Sequence, residues 1–290
     1  MAPHQGFRGM YPYNTKHINL PGDNNVAYID EGQGARTLLF IHGLANYAMV
    51  WRKNIDTLRS HYRCIAIDLP GNGLSSKEDR PYGIPFYTKS VYDFIQALGL
   101  KNFVIVGHSM GGQIAMATLI AHPGLADALV LCAPAGMEEF TAMDRTLFSG
   151  ALHFANFLSS DENNLRQIME NAFYRHKSQA DGIIQELFGL MKNYKGNSYR
   201  KMVDASVKSM LEESVFEKLH LITLPTLVIF GLHDKLIPNK LIHHTTTEKL
   251  AKDAVAKMPH ATLKLLPDCG HFVQWEKADE VNSVITNFVK

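Results

Sequence analysis

The sequence predicts an α/β protein built on a mostly parallel, doubly wound sheet of eight strands, with a helical insertion after the sixth strand. Three observations predict it. Short apolar runs, each closed by Gly, Asp or Pro, recur along the chain, and segments with helical spacing lie between them. The alternation then stops between residues 137 and 219, where only helix-like segments follow one another.

The first two strands are "KHINL" and "NVAYIDEG", joined by "PGDN" as an antiparallel hairpin at the sheet edge. The next four are "TLLFIHG" (37–43), "RCIAIDLPG" (63–71), "NFVIVGHS" (102–109) and "DALVLCAPAG" (127–136). The last two are "PTLVIFGLHD" (225–234) and "TLKLLPDCGH" (262–271). Their apolarity is continuous rather than alternating, the pattern of strands covered on both faces in a parallel sheet. Among the intervening helices, Val91, Phe94, Ile95 and Leu98 recur at helical spacing before Gly99, a glycine stop. In such a sheet the ligand site lies beyond the carboxyl ends of the strands.

The expected division is a core of residues 1–136 and 220–290 and a helical cap of residues 137–219. The cap carries Met143, Phe148, Phe154, Phe157, Phe173, Tyr174, Phe188, Met191, Tyr194 and Met202. Most of these should pack within the cap and some should roof a pocket.

Composition narrows the function classes. Of 290 residues, 46% are hydrophobic and 20% charged, which suits an ordered globular chain, and the net charge of +1 leaves no field to attract nucleic acid or an acidic membrane. No apolar run approaches a membrane span and "MAPHQGFRGMYPYN" has no apolar leader, so the expected location is the cytoplasm, without stable membrane insertion. Cys64, Cys132 and Cys269 form no C-x-x-C unit and read as unpaired thiols. Nothing in the sequence fixes an oligomeric state.

The segment "GHSMG" (107–111) fits G-x-S-x-G, a sharp strand-to-helix turn that leaves a serine exposed at the strand tip. Gly107 and Gly111 lack the β-carbons that would collide there, and Gly112 lets the following helix pack closely. A helix starting near Met110 directs its amino end at Ser109, which favours developing negative charge. A serine nucleophile needs a base, and the base needs a carboxylate to fix its tautomer. His271 and Asp234 follow the last two strands in the expected order. Oxyanion donors would be the backbone N–H groups of Leu44 and Met110, with Gly43 permitting the turn and His42 supporting the loop.

Other residues have plainer readings. Glu138 and Glu139, at the preceding strand end, are the alternative to Asp234 as the acid. Asp68 and Asp268 read as turn residues. His243 and His244 are adjacent on an expected helix and face different directions, which disfavours a shared metal, and His153 and His176 read as surface residues. Trp51 either floors the loop after the third strand or packs a helix.

With these motifs in register, the chain resembles the α/β-hydrolase superfamily, in the branch with a helical cap, over essentially its whole length. "IDLPGNGLS" (67–75) is similar to that family's D-x-x-G-x-G-x-S segment, which implies a structural loop near the site. Dehalogenases and epoxide hydrolases of the family use an aspartate nucleophile, whereas this position is Ser109, and Ala45 stands where the H-G-x-P loop of epoxide hydrolases has proline. The resemblance therefore implies acyl transfer on a small, largely apolar carboxylic ester, needing neither metal nor organic cofactor. It also admits a carbon–carbon hydrolase of the meta-cleavage type. Those enzymes use arginine to hold a substrate carboxylate, for which Arg145, Arg166 and Arg175 are available. An amidase, an iminopeptidase, a perhydrolase and a small-molecule receptor retaining the fold are further alternatives.

Overall fold

A computed structural model of the chain describes residues 11–141, 143–144, 162–175, 178–191, 194, 198–238 and 243–290. Arg145, Phe148, His153, Phe154, Phe157 and His176 lie outside the described residues. The strands are β1 (Thr15–Leu20), β2 (Asn24–Glu31), β3 (Thr37–Ile41), β4 (Arg63–Ile67), β5 (Phe103–His108), β6 (Ala128–Cys132), β7 (Thr226–Gly231) and β8 (Ala261–Leu266). They form one sheet in the order β1-β2-β4-β3-β5-β6-β7-β8. The two pairings made by β2, with β1 and with β4, are antiparallel, and the others are parallel.

Every residue of β3, β5, β6 and β7 is buried, as the continuous apolar runs predict. β8 differs: Thr262 is exposed and Lys264 half-buried, because the strand has a neighbour on one side only. Helices α1 (Arg52–Leu58), α2 (Ile84–Ala97) and α3 (Met110–Ala121) fill the crossovers of the first half. α2 ends as its spacing predicts, with Val91, Phe94 and Ile95 buried and Gly99 at φ 57°, in the left-handed region that favours glycine.

Between β6 and β7 the chain forms α4 (Glu162–Ala172), α5 (Ser178–Met191) and α6 (Ser198–Glu212). α6 is tied to the core: Ser209 Oγ accepts the amide hydrogen of Ile84 at 2.8 Å, and the Tyr87 hydroxyl lies 3.4 Å from Ser206 Oγ. After β7 come α7 (Thr247–Val255), β8, the short α8 (Val273–Glu276) and α9 (Ala278–Phe288). No helix among the described residues is long and apolar enough to cross a membrane.

Candidate active site

β5 runs straight into the turn at Ser109, whose φ of 53° and ψ of −122° are a strained conformation for a residue with a side chain. The backbone around it enforces that conformation. Ser109 N–H donates to Cys132 O at 3.1 Å, and Ser109 O accepts from Gly112 and Ala135 N–H at 2.9 and 3.0 Å. The flanking glycines are required by contact. A β-carbon at 107 would lie 2.6 Å from Gly111 O. One at 111 would lie 2.8 Å from the Ile41 carbonyl carbon, and closer still to the carbonyl oxygens of Ile41 and His42. A β-carbon at 112 would meet Pro134 Cβ at 2.7 Å.

The tips of β7 and β8 bring Asp234 and His271 together. His271 Nδ1 lies 2.8 Å from Asp234 Oδ2, with both side chains buried. The other carboxylate oxygen, Oδ1, accepts the amide hydrogens of Leu236 at 2.8 Å and Ile237 at 3.0 Å. Asp234 is thus oriented by backbone donors, and its free oxygen receives the imidazole N–H. Glu139 is exposed, while Glu138 is buried with Oε1 3.6 Å from His243 Nε2. The acid hydrogen-bonded to His271 is Asp234.

Ser109 and His271 line one cavity of about 350 Å³ with Gly43, Leu44 and Ala45. Among the described residues, Ser109 Oγ and His271 Nε2 are not hydrogen-bonded to each other. Hydrogen bonds of this kind are often unmade in unliganded sites. Neither Leu44 N–H nor Met110 N–H donates to a backbone acceptor among the described residues.

The loop after β3 rests on the loop after β4. His42 Nδ1 lies 2.8 Å from Gly43 O, and His42 Nε2 accepts Leu69 N–H at 3.0 Å. Those contacts place the proton on Nδ1 of a neutral ring, and burial pushes its pKa down. Asp68 accepts from the Tyr11 hydroxyl at 2.6 Å, Ala48 N–H at 2.7 Å and Leu74 N–H at 2.8 Å, so it is a structural hub beyond its own turn. Ala45 adopts φ 53°, which a proline ring, fixed near about −65°, cannot reach. Trp51 is fully buried, packed on Phe40 at 5.0 Å between ring centres and edge-on to His108 at 6.4 Å.

The described part of the roof is built from residues other than those singled out in the sequence. Of the large side chains singled out between residues 137 and 219, none of those described lines the cavity; Ile168, Met169 and Ala172 of α4 and Val207, Met210 and Leu211 of α6 do so. Met143 is 73% exposed, Phe173 stacks on Phe272 and Tyr174 on His233, and Met202 is buried. Met191 and Tyr194 line a separate, much smaller cavity. Arg166 pairs with Asp181 and Glu170, and Arg175 with Asp268, which has φ 49° at an exposed turn.

Two residues near His271 were not singled out in the sequence. His108, at the second position of the elbow, is buried with Nε2 3.1 Å from His271 O, and its ring centre lies 4.9 Å from that of His271. Burial, then the adjacent His271 imidazole, push its pKa well below the ordinary range. Glu276 accepts from two backbone amides, Gly270 N–H and Tyr174 N–H, both at 2.9 Å. Their partners are main-chain atoms brought near by the fold, so residue type and spacing carry no signal for either. Among the described residues no group of three or more His, Cys, Asp or Glu side chains is gathered closely enough to hold a metal ion.

The sequence profile of the family described as "alpha/beta hydrolase fold" matches residues 36–278. The chain belongs to that family. It is 28% identical over 269 residues to the dihydrolipoyllysine-residue acetyltransferase component of the acetoin cleaving system of Cupriavidus necator. That match covers 90% of this chain and 65% of the relative, so the chain spans less than two thirds of the relative's length. It is 25% identical over 264 residues, 90% of each chain, to a 2-hydroxy-6-oxononadienedioate/2-hydroxy-6-oxononatrienedioate hydrolase of a Pseudomonas species. An esterase from Exiguobacterium antarcticum superposes with a TM-score of 0.80 at 17% identity, covering 95% of this chain and 99% of the other.

Proposed function

We propose that the protein is a serine hydrolase that cleaves a carboxylic ester of largely apolar character through an acyl-enzyme. The observation that carries this reading is the Asp234–His271 hydrogen bond of 2.8 Å at the cavity that also holds the strained Ser109. Asp234 keeps the His271 proton on Nδ1, which leaves Nε2 to take the proton of Ser109 Oγ as that oxygen attacks the ester carbonyl. The N–H groups of Leu44 and Met110 receive the negative oxygen, the alcohol leaves with the proton from Nε2, and a water activated by the same nitrogen releases the acid. Walls formed by Ile168, Met169, Val207 and Leu211 favour an apolar acyl or alcohol group.

Carbon–carbon hydrolysis is the second reading, favoured by the likeness to the Pseudomonas hydrolase. The dienedioate in that protein's name carries two carboxylates. Here the described cavity wall includes the carboxylate residue Glu138, no arginine, and one cation, the exposed Lys235. A neutral substrate suits such a wall better than a dianion.

The test is steady-state hydrolysis of p-nitrophenyl esters of increasing acyl length beside a dienoic carbon–carbon substrate, with labelling by a fluorophosphonate. Product beyond one equivalent, label on Ser109, and loss of about 10⁶-fold in kcat for Ser109→Ala are expected. Faster turnover of the carbon–carbon substrate would establish the second reading. Label without turnover of any substrate would indicate a binding protein.

A further inference from the structure

The loop that carries His271 is held from outside the sheet. His271 N–H donates to Ala172 O at 2.7 Å, at the last residue of α4. Glu276 then bridges the same two segments, with Oε1 taking Gly270 N–H and Oε2 taking Tyr174 N–H. Ring stacking follows the same seam, with Phe173 on Phe272 at 5.0 Å and Tyr174 on His233 at 4.0 Å. Gly270 permits the approach: a β-carbon there would lie 2.8 Å from Glu276 Oε1 and 2.9 Å from Tyr174 N, and closer still to Ala172 O.

We propose that Glu276 is a positioning residue that clamps the end of α4 to the His271 loop, so that the orientation of the imidazole depends on where α4 rests. The inference rests on the proposed role of His271 as base. A carboxylate suits the task because each of its oxygens accepts one amide hydrogen, whereas a glutamine presents one acceptor and one donor to the same pair. α4 also contributes Ile168, Met169 and Ala172 to the cavity wall, so the helix that meets the substrate is the helix that holds the base loop. His271 O is held independently by His108 Nε2, which leaves the Ala172 and Glu276 contacts to fix the other side of the loop.

The test uses Glu276→Gln and Gly270→Ala in the full chain, since one removes the acceptor and the other presses the segments apart. Two readouts are taken: kcat and KM on a short p-nitrophenyl ester, and amide hydrogen exchange of the peptides spanning 172–175 and 269–272. Both variants should lower kcat about 10- to 100-fold with KM little changed, as a small misplacement of the base does. Both should speed exchange in those two peptides together, while peptides over β3 and β5 remain as protected as in the parent. Variants with faster exchange and unchanged kcat would overturn the positioning role, as would unchanged exchange at both segments. Glu276→Asp, too short to span both amides, serves if Glu276→Gln does not fold, with the same two outcomes. A parent protein inert toward every ester and toward the fluorophosphonate would instead defeat the proposed hydrolase reading, and the exchange data would still report on the clamp.

Discussion

His108 Nε2 lies 3.1 Å from the carbonyl oxygen of His271, so the residue before Ser109 holds the main chain of the residue opposite it across the cavity. Donation from Nε2 leaves Nδ1 of the buried ring without a partner among the described residues, which suits a neutral imidazole.

That neutrality has a pH signature. In the unfolded chain the imidazole titrates near about pH 6.5, whereas burial and the neighbouring His271 hold folded His108 well below this. As pH falls through about 6.5 the unfolded state takes up the proton first, so this stability is present above that pH and lost below it. Folded His42 is lowered by burial and acts in the same direction. The thermal midpoint should fall on acidification from about pH 6.5, and His108→Gln should reduce the slope by up to about 1.4 kcal/mol per pH unit. Calorimetry of both proteins between pH 8 and pH 5 checks this; parallel slopes would contradict it.

Asp234→Asn should lower kcat for ester hydrolysis by about 10⁴-fold, because an amide no longer selects the Nδ1–H tautomer of His271. The fold should persist, since the asparagine oxygen can still accept from Leu236 and Ile237 N–H. Glu138→Gln should leave that kcat within a few-fold on a neutral ester. A reversed order of effects would move the acid to Glu138.

Glu138 should instead show in substrate preference. Removing a carboxylate from the cavity wall relieves like-charge repulsion, so Glu138→Gln should raise the rate on an anionic ester relative to its neutral analogue by about tenfold. Competition assays with a hemisuccinate ester and a butyrate ester read the ratio directly. A constant ratio would take Glu138 out of contact with substrate.

Gly111→Ala should cost about 1–3 kcal/mol in urea unfolding, because the added carbon presses on the backbone of Ile41 and His42 rather than on a movable side chain. Gly182→Ala, at a helical position with open space for a β-carbon, is the control and should not destabilise. Equal stability of both variants would show that the turn yields more easily than the contacts imply.

The sheet was legible because each strand is an apolar run ended by a turn residue, and the edge hairpin because its halves flank "PGDN". The pairing of Asp234 with His271 follows from their places at adjacent strand tips, although the sequence alone also admits Glu138 and Glu139; in the fold it is Asp234 Oδ2 that lies beside Nδ1. The roof was not legible. Val207 and Met210 line the cavity while Met202 and Val203 of the same helix are buried, and apolar side chains at helical spacing read alike in either role. Tyr11 and Asp68, 57 residues apart, had no local pattern to announce their hydrogen bond.

The backbone at Ala45 limits what this chain can become. With φ at 53°, the position rejects the one residue that would give it the loop of the epoxide hydrolases. Exchanging Ser109 for aspartate would therefore leave the loop after β3 without that proline. A proline at residue 45 would first require the main-chain turn there to be rebuilt.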